Sequence, residues 1–276
     1  MSDKLSERRR KPVNDKFRGL AIGHRPSTET NVISFASKTV LISGGATGIG
    51  LATAHLMAAH GAAVVLFDLD AARLAGAADA LAAHGNPVLT VVGDVSSSAD
   101  CDRAVRECGA RFGGIDHLVH CAGVYPEALV RDMSDADWQR LMGINLNGTF
   151  YLCRAAQGAL RDQGAVVLLA SLAAHRGSHA HAAYAATKGA VLSFARSLAL
   201  ELAPRVRVNT VSPGIIATAM TRDLLGQKGS QLLASTPLGR HGSAEDIAGA
   251  IAFLCSPLAA FVTGETLQVN GGIYLS

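Results

Sequence analysis

The chain has little charge, few aromatic rings and no paired cysteines. Of its 276 residues, 17% are charged and 5% aromatic, against 49% hydrophobic. That balance reads as a compact globular protein with much buried surface, subunit contacts included. The length suits one large α/β domain or two small ones. Cys101, Cys108, Cys121, Cys153 and Cys255 form no C-x-x-C pair and no metal-ligand spacing. An odd cysteine count without a secretory signal fits free thiols in a reducing cytoplasm. No apolar run reaches membrane-spanning length. The nearest, IAGAIAFLCSPLAAFV, is broken by Ser256-Pro257. A basic face for nucleic acid is also missing. Residues 1–30 hold eight Lys/Arg against four Asp/Glu, and the rest of the chain holds 17 against 18. The basic character thus belongs to the N-terminal stretch, and neither a nucleic-acid nor a membrane partner is expected. Residues 1–36 read as a solvated, flexible extension and 37–276 as a single domain.

From about residue 37, short β-branched runs alternate with helical patterns. KTVLIS, AAVVLF, PVLTVV, IDHLVH, GAVVLLA, RVRVNTV and TLQVNGG read as strands. Helical stretches lie between them, including one continuous helix over residues 135–160 and another over 181–203. SAEDIAGAIAFLCS is a last helix. Strands without polar alternation, each followed by a helix, imply a parallel sheet covered on both faces. The expected fold class is therefore α/β, a doubly wound Rossmann-type sheet. One tract, residues 221–242, reads as a lid inserted before the last helix.

Directly after the first strand comes SGGATGIG, with Gly44, Gly48 and Gly50 spaced G-x-x-x-G-x-G. Such a loop turns tightly from strand to helix and brings backbone N–H groups to a pyrophosphate. Thr47 and Ile49 belong to the same loop. Asp68, at the tip of the second strand, can accept hydrogen bonds from ribose hydroxyls and repel a 2′-phosphate. No basic residue precedes Gly48. Both features favour NAD over NADP. A helix N-cap is the alternative reading of Asp68. Asp94, followed by Val95, can meet the adenine edge or cap the next helix. Arg73 reads as a solvated helix residue.

In HAHAAYAATKGAVLSFARS, Tyr184 and Lys188 lie one helical turn apart and share a face. A free phenol has a pKa near ~10, and a nearby cation lowers it. With this helix, the ordered set SGGATGIG, GDV (93–95), HCAG (120–123), INLNG (144–148), Ser171, YAATK (184–188) and PGIIAT (213–218) resembles the short-chain dehydrogenase/reductase family over roughly residues 38–276. The resemblance implies an NAD-preferring oxidoreductase that interconverts secondary alcohols and ketones. Tyr184 would be the general acid/base, Lys188 would tune it and hold the nicotinamide ribose, and Ser171 would orient the substrate oxygen. Asn145 would hold a water chain behind the lysine. Ala122 and Gly123 would approach the cofactor closely. Pro213, Gly214, Ile216 and Thr218 would sit at the nicotinamide carboxamide, Pro213 and Gly214 chiefly shaping the turn. A homotetramer packed through helices near 134–161 and 181–203 is a further implication. The alternatives are a 3-oxoacyl-carrier-protein reductase, usually NADPH-linked, and a non-catalytic dinucleotide sensor.

The family commonly has Asn-Asn-Ala-Gly where this chain has His120-Cys121-Ala122-Gly123, which leaves the hydrogen bonding of the central strands open. His175, His179 and His181 crowd the segment before Tyr184. They read as loop residues or substrate contacts, and no metal is expected. Expected substrate walls are Tyr125, Leu172, His175, Met220, Leu224 and Leu225. Arg222 and Arg240 do not select a ligand.

Overall fold

The structure, a computed structural model, describes residues 33–275. The basic extension read over residues 1–36 lies outside the described residues as far as residue 32. Ile33 packs against the core and Phe35 is fully buried, edge-on to the His117 ring.

The strands are β1 (Thr39–Ser43), β2 (Ala63–Asp68), β3 (Val88–Val92), β4 (Ile115–His120), β5 (Leu160–Leu169), β6 (Val206–Pro213) and β7 (Thr266–Val269). All pair in parallel, in the order β3-β2-β1-β4-β5-β6-β7. The helices are α1 (Gly48–Ala59), α2 (Ala71–Ala82), α3 (Ser98–Phe112), α4 (Asp135–Met142), α5 (Gly148–Ala156), α6 (Ala173–Arg176), α7 (Ala182–Leu202), α8 (Arg222–Ala234) and α9 (Ala244–Cys255).

Side chains alternate across each strand, so the apolar runs feed two cores. Val40, Ile42, Val64, Leu66 and Val119 join α1, α2 and α9 on one face. Leu41, Val65, Phe67 and Leu118 join α3, α5 and α7 on the other. This is the doubly wound sheet expected. The chain reverses its direction of winding between β1 and β4, where a crevice opens at the carboxyl ends of the strands.

Three elements differ from the sequence reading. The helix expected over 135–160 is interrupted by a π-helical turn, Gly143–Asn147, and ends at Ala156. Leu160 already belongs to β5, whose start is irregular, with Gln163 at φ 63°. The 221–242 tract is largely helical, α8, with no buried residue. Its two ends meet: Gly242 N–H donates to the Ile215 carbonyl at 3.0 Å and Ala217 N–H to the Gly242 carbonyl at 2.8 Å. The tract is therefore an excursion pinned at its base.

Candidate active site

The loop after β1 is shaped by contacts that only glycine permits. Gly44 has φ +64°, and a Cβ there would lie 2.7 Å from the Ala122 nitrogen. A Cβ on Gly50 would lie 2.1 Å from the Gly44 carbonyl oxygen. The turn thus brings α1 into the sheet edge against Cys121–Gly123. Thr47 is the N-cap of α1 but makes no side-chain cap bond, and the first turn holds no acid. Four other helices do close this end: Asp70 caps α2, Ser97 α3, Ser134 α4 and Ser243 α9. The open N–H groups of α1 suit an anion such as a pyrophosphate.

In front of this loop runs a cleft of about 320 Å³. Gly44, Thr47, Gly48, Ile49, Gly50, Asp68, Asp94, Val95, Ala122, Gly123 and Thr218 all line it. Phe67, Leu69, Cys121, Val124 and Ile144 line it too and escaped the sequence reading, because apolar residues beside a motif carry no signal of their own. Pro213 and Ile216 do not line the cleft. Pro213 is buried in β6, where its carbonyl accepts from Leu172 N–H. The Ile216 side chain turns to Gly242, in a separate cavity. Gly214 faces the adjoining pocket and lets β6 approach Asn270, which a Cβ would meet at 2.7 Å.

Asp68 is not the N-cap of α2; Asp70 takes that role. The Asp68 carboxylate accepts from Ala46 N–H at 3.1 Å and Leu69 N–H at 2.8 Å, which holds it at the cleft edge. Asp94 likewise does not cap α3. It accepts from Ser96 N–H at 2.8 Å. Arg73 pairs with Asp70 on the exposed face of α2.

Ser171 and Tyr184 line a second pocket, of about 90 Å³, which shares Met220 with the cleft; Lys188 and Asn145 are buried and line neither cavity. Ser171 follows β5, and its Oγ accepts from Ala173 N–H at 3.1 Å. Tyr184, in the first turn of α7, is buried against Tyr125, edge to face at 4.6 Å. Burial pushes the phenol up to about 12, with the Ser171 hydroxyl pulling the other way. Loss of water around the buried phenolate outweighs the pull of the Ser171 hydroxyl. Lys188 is buried, donates to the Leu169 carbonyl at 2.7 Å and lies 5.9 Å from the centre of the Tyr184 ring. Burial pushes its ammonium down to about 8.

Asn145 owes its position to the π-helical turn. Its side chain exchanges two hydrogen bonds with the Val124 backbone, each 2.9 Å, and also donates to Thr187 Oγ1 at 3.3 Å. It clamps the segment after β4 against α7, beside Lys188.

The second pocket is walled by Tyr125, Leu172, Met220 and Leu224, as expected, but not by Leu225 or His175. His175 turns away to Ser212 Oγ (2.9 Å) and Gln268 Nε2 (3.0 Å) and stacks on Tyr274. His181 is buried behind Tyr125, the two rings stacked at 4.0 Å. His179 is exposed, and its carbonyl lies 2.8 Å from His181 Nδ1. Among the described residues no group of three His, Cys, Asp or Glu is placed to hold a metal, and all five cysteines are free. His120 replaces the usual Asn by pairing its Nδ1 with Ser43 Oγ at 2.7 Å across β1 and β4, so the central strands stay stitched.

A family model described as "Enoyl-(Acyl carrier protein) reductase" matches residues 44–274. The chain is 37% identical over 246 residues to a 3-oxoacyl-[acyl-carrier-protein] reductase of Escherichia coli, covering 88% of this chain and 100% of that protein. It is 39% identical over 247 residues to 2-(S)-hydroxypropyl-CoM dehydrogenase 3 of Xanthobacter autotrophicus, covering 86% and 96%. The crystal structure of a short-chain dehydrogenase/reductase, glucose/ribitol dehydrogenase, from Brucella melitensis superposes with TM-score 0.86 at 49% identity, covering 88% of this chain and 99% of that one. No helix among the described residues is long and apolar enough to cross a membrane.

Proposed function

The chain belongs to the short-chain dehydrogenase/reductase family of NAD(P)-dependent oxidoreductases, and on that premise we propose that it interconverts a secondary alcohol and a ketone, with NAD(H) as its cofactor and Tyr184 as the general acid/base. The observation that carries this reading is the burial of Tyr184 beside Ser171 and Lys188 at the second pocket. A dinucleotide fits the cleft because the N–H groups of α1 are open and the glycines leave room for its backbone approach. Bound there, a nicotinamide supplies the acceptor or donor of hydride.

The chain's own groups handle the proton and the orientation. The Tyr184 hydroxyl gives its proton to the carbonyl oxygen in reduction and takes it back in oxidation. Ser171 Oγ holds the same oxygen, so the reacting carbon keeps one orientation. The Lys188 charge favours the phenolate, and Asn145 fixes the segment that backs the lysine. Tyr184→Phe removes the transferable proton but keeps the ring packed on Tyr125. Turnover should fall by at least ~10³-fold, within the range of general acid–base catalysis, while NAD binding, read by Trp138 fluorescence, holds. Full turnover in that variant would overturn the mechanism.

The NAD preference rests on Asp68, held at the cleft edge where a 2′-phosphate would arrive. Dissociation constants for NAD and NADP test it directly, and tighter NADP binding would sink it. The Escherichia coli relative supports a second reading, reduction of a 3-oxoacyl thioester. Turnover of such a thioester with NADPH but not NADH would favour it.

A homotetramer packed through α4, α5 and α7 is part of the same proposal. Phe150 on α5 and Leu200 on α7 are exposed large apolar residues on these helices, and burying them between subunits suits a closed symmetric assembly.

A further inference from the structure

The second pocket has an apolar body, formed by Leu172, Ala173, Ile215, Met220 and Leu224. One ionised side chain lines it, Arg176, and no carboxylate does. The two arginines that sequence pointed to are placed elsewhere. Arg240 is held by Asp246 in a bidentate pair at 2.6 and 2.7 Å. Arg222 starts α8 and is exposed, outside the pocket lining. Arg176 pairs with no carboxylate among the described residues.

The placement of Arg176 follows from α6. Ala173 and Arg176 are three residues apart and share a face, which lines the pocket. His175 lies on another face and is held off by Ser212 and Gln268. The helix ends at Gly177, whose φ of 77° turns the chain back across the pocket mouth. Arg176, exposed at the pocket, is thus carried on the same short segment as Ser171, and the backbone of that segment is tied to β6 by the bond from Leu172 N–H to the Pro213 carbonyl, 3.0 Å.

We infer that Arg176 is a specificity-determining residue, and that the substrate is an oxo acid or hydroxy acid whose carboxylate pairs with Arg176 while its hydrocarbon body fills the apolar walls. A planar guanidinium fork suits a carboxylate better than a neutral hydroxyl, and no carboxylate of the pocket lining competes for it. The inference rests on the pocket being the substrate site of the proposed oxidoreductase.

The test uses the full chain loaded with NAD and two simple probes, octanoate and 1-octanol. Octanoate should bind at least ~10-fold more tightly than octanol, the scale of one charge-assisted contact, and its affinity should weaken with added NaCl. Arg176→Gln should remove that advantage and leave octanol and NAD binding unchanged. Arg176→Lys, which keeps the charge but not the fork, should restore part of it. With NADH in place of NAD, among oxooctanoates with the ketone at successive carbons, at least one should be reduced in preference to its methyl ester, and Arg176→Gln should abolish the preference. Octanoate binding no tighter than octanol, or unchanged in Arg176→Gln, would overturn the inference. Tyr184→Phe keeps the two questions apart: if it stops turnover while Arg176→Gln changes nothing, only the role of Arg176 falls.

Discussion

His120 is the residue whose environment departs most from its chemistry. It is fully buried; Nδ1 faces Ser43 Oγ, and Nε2 has no partner among the described residues. Burial pushes it down to about 3, and His117, buried one strand turn earlier, down to about 4. Both rings are therefore neutral in the fold, while in the unfolded chain they titrate near 6.5. The unfolded state binds more protons below that value, so stability is full above about pH 6.5 and is lost as pH falls towards 4 and then 3. Each ring costs up to about 1.4 kcal/mol per pH unit in that window. His120→Asn keeps a partner for Ser43 without a titrating group. Urea unfolding at pH 7 and pH 5 should show a smaller loss in the variant, by about 2 kcal/mol. Equal losses would mean that His120 opens to water. Lys188 and Tyr184 set the rate in a similar way. Reduction uses the phenol and the ammonium both protonated. With Tyr184 near 12 and Lys188 near 8, kcat/KM for reduction should stay flat to about pH 8 and then fall. In Lys188→Arg, whose charge does not titrate there, the fall should move to higher pH.

Glycines of this chain divide by what surrounds them within their elements. Gly50, inside the first turn of α1, has the Gly44 carbonyl where a Cβ would sit. Gly50→Ala should abolish dinucleotide binding and destabilise the fold by more than about 2 kcal/mol, since backbone must move on both sides. Gly76, in the middle of α2, has open space at the same position. There alanine only narrows the unfolded ensemble, so Gly76→Ala should raise stability by about 0.5–1 kcal/mol in urea unfolding, with cofactor affinity unchanged. The π-helical turn at Gly143–Asn147 was not legible as such. INLNG continues a helical pattern on both sides, and only the bonds from Asn145 to the Val124 backbone show why an extra residue is accommodated there.

Across the whole molecule, one buried carboxylate ties the amino ends of the central strands. Asp116 accepts from Thr39 N–H at 2.9 Å, Lys38 Nζ at 3.1 Å and Arg161 at 2.6 Å, joining the starts of β1, β4 and β5. Burial works to raise its carboxyl, but these three donors outweigh it and hold it below the usual carboxylate range. Asp116→Ala strands the Thr39 N–H, while Lys38 and Arg161 are exposed enough to regain water. The expected cost is about 2–3 kcal/mol in urea unfolding, with kcat unchanged because the cluster lies at the opposite end of the sheet from the cleft. At the level of assembly, light scattering should give about four times the 28.5 kDa chain mass. Phe150→Glu should lower it, because a carboxylate in a subunit contact loses its water without gaining a partner.

The sequence by itself determined the parallel sheet, the glycine loop and the companions of Tyr184. These depend on local patterns: apolar runs, a strand–turn–helix junction, and two residues one helical turn apart. It also carried the order of motifs that identifies the family. Only the tertiary structure decided which polar groups are already engaged. His175 bonds to Ser212 and Gln268, Arg240 to Asp246, and His181 lies behind Tyr125. Arg176, which no motif marks, is left to line the pocket. Asp246 lies six residues from Arg240, but the partners of His175 and His181 come from distant segments, and no spacing along the chain records which distant side chain reaches a given group first.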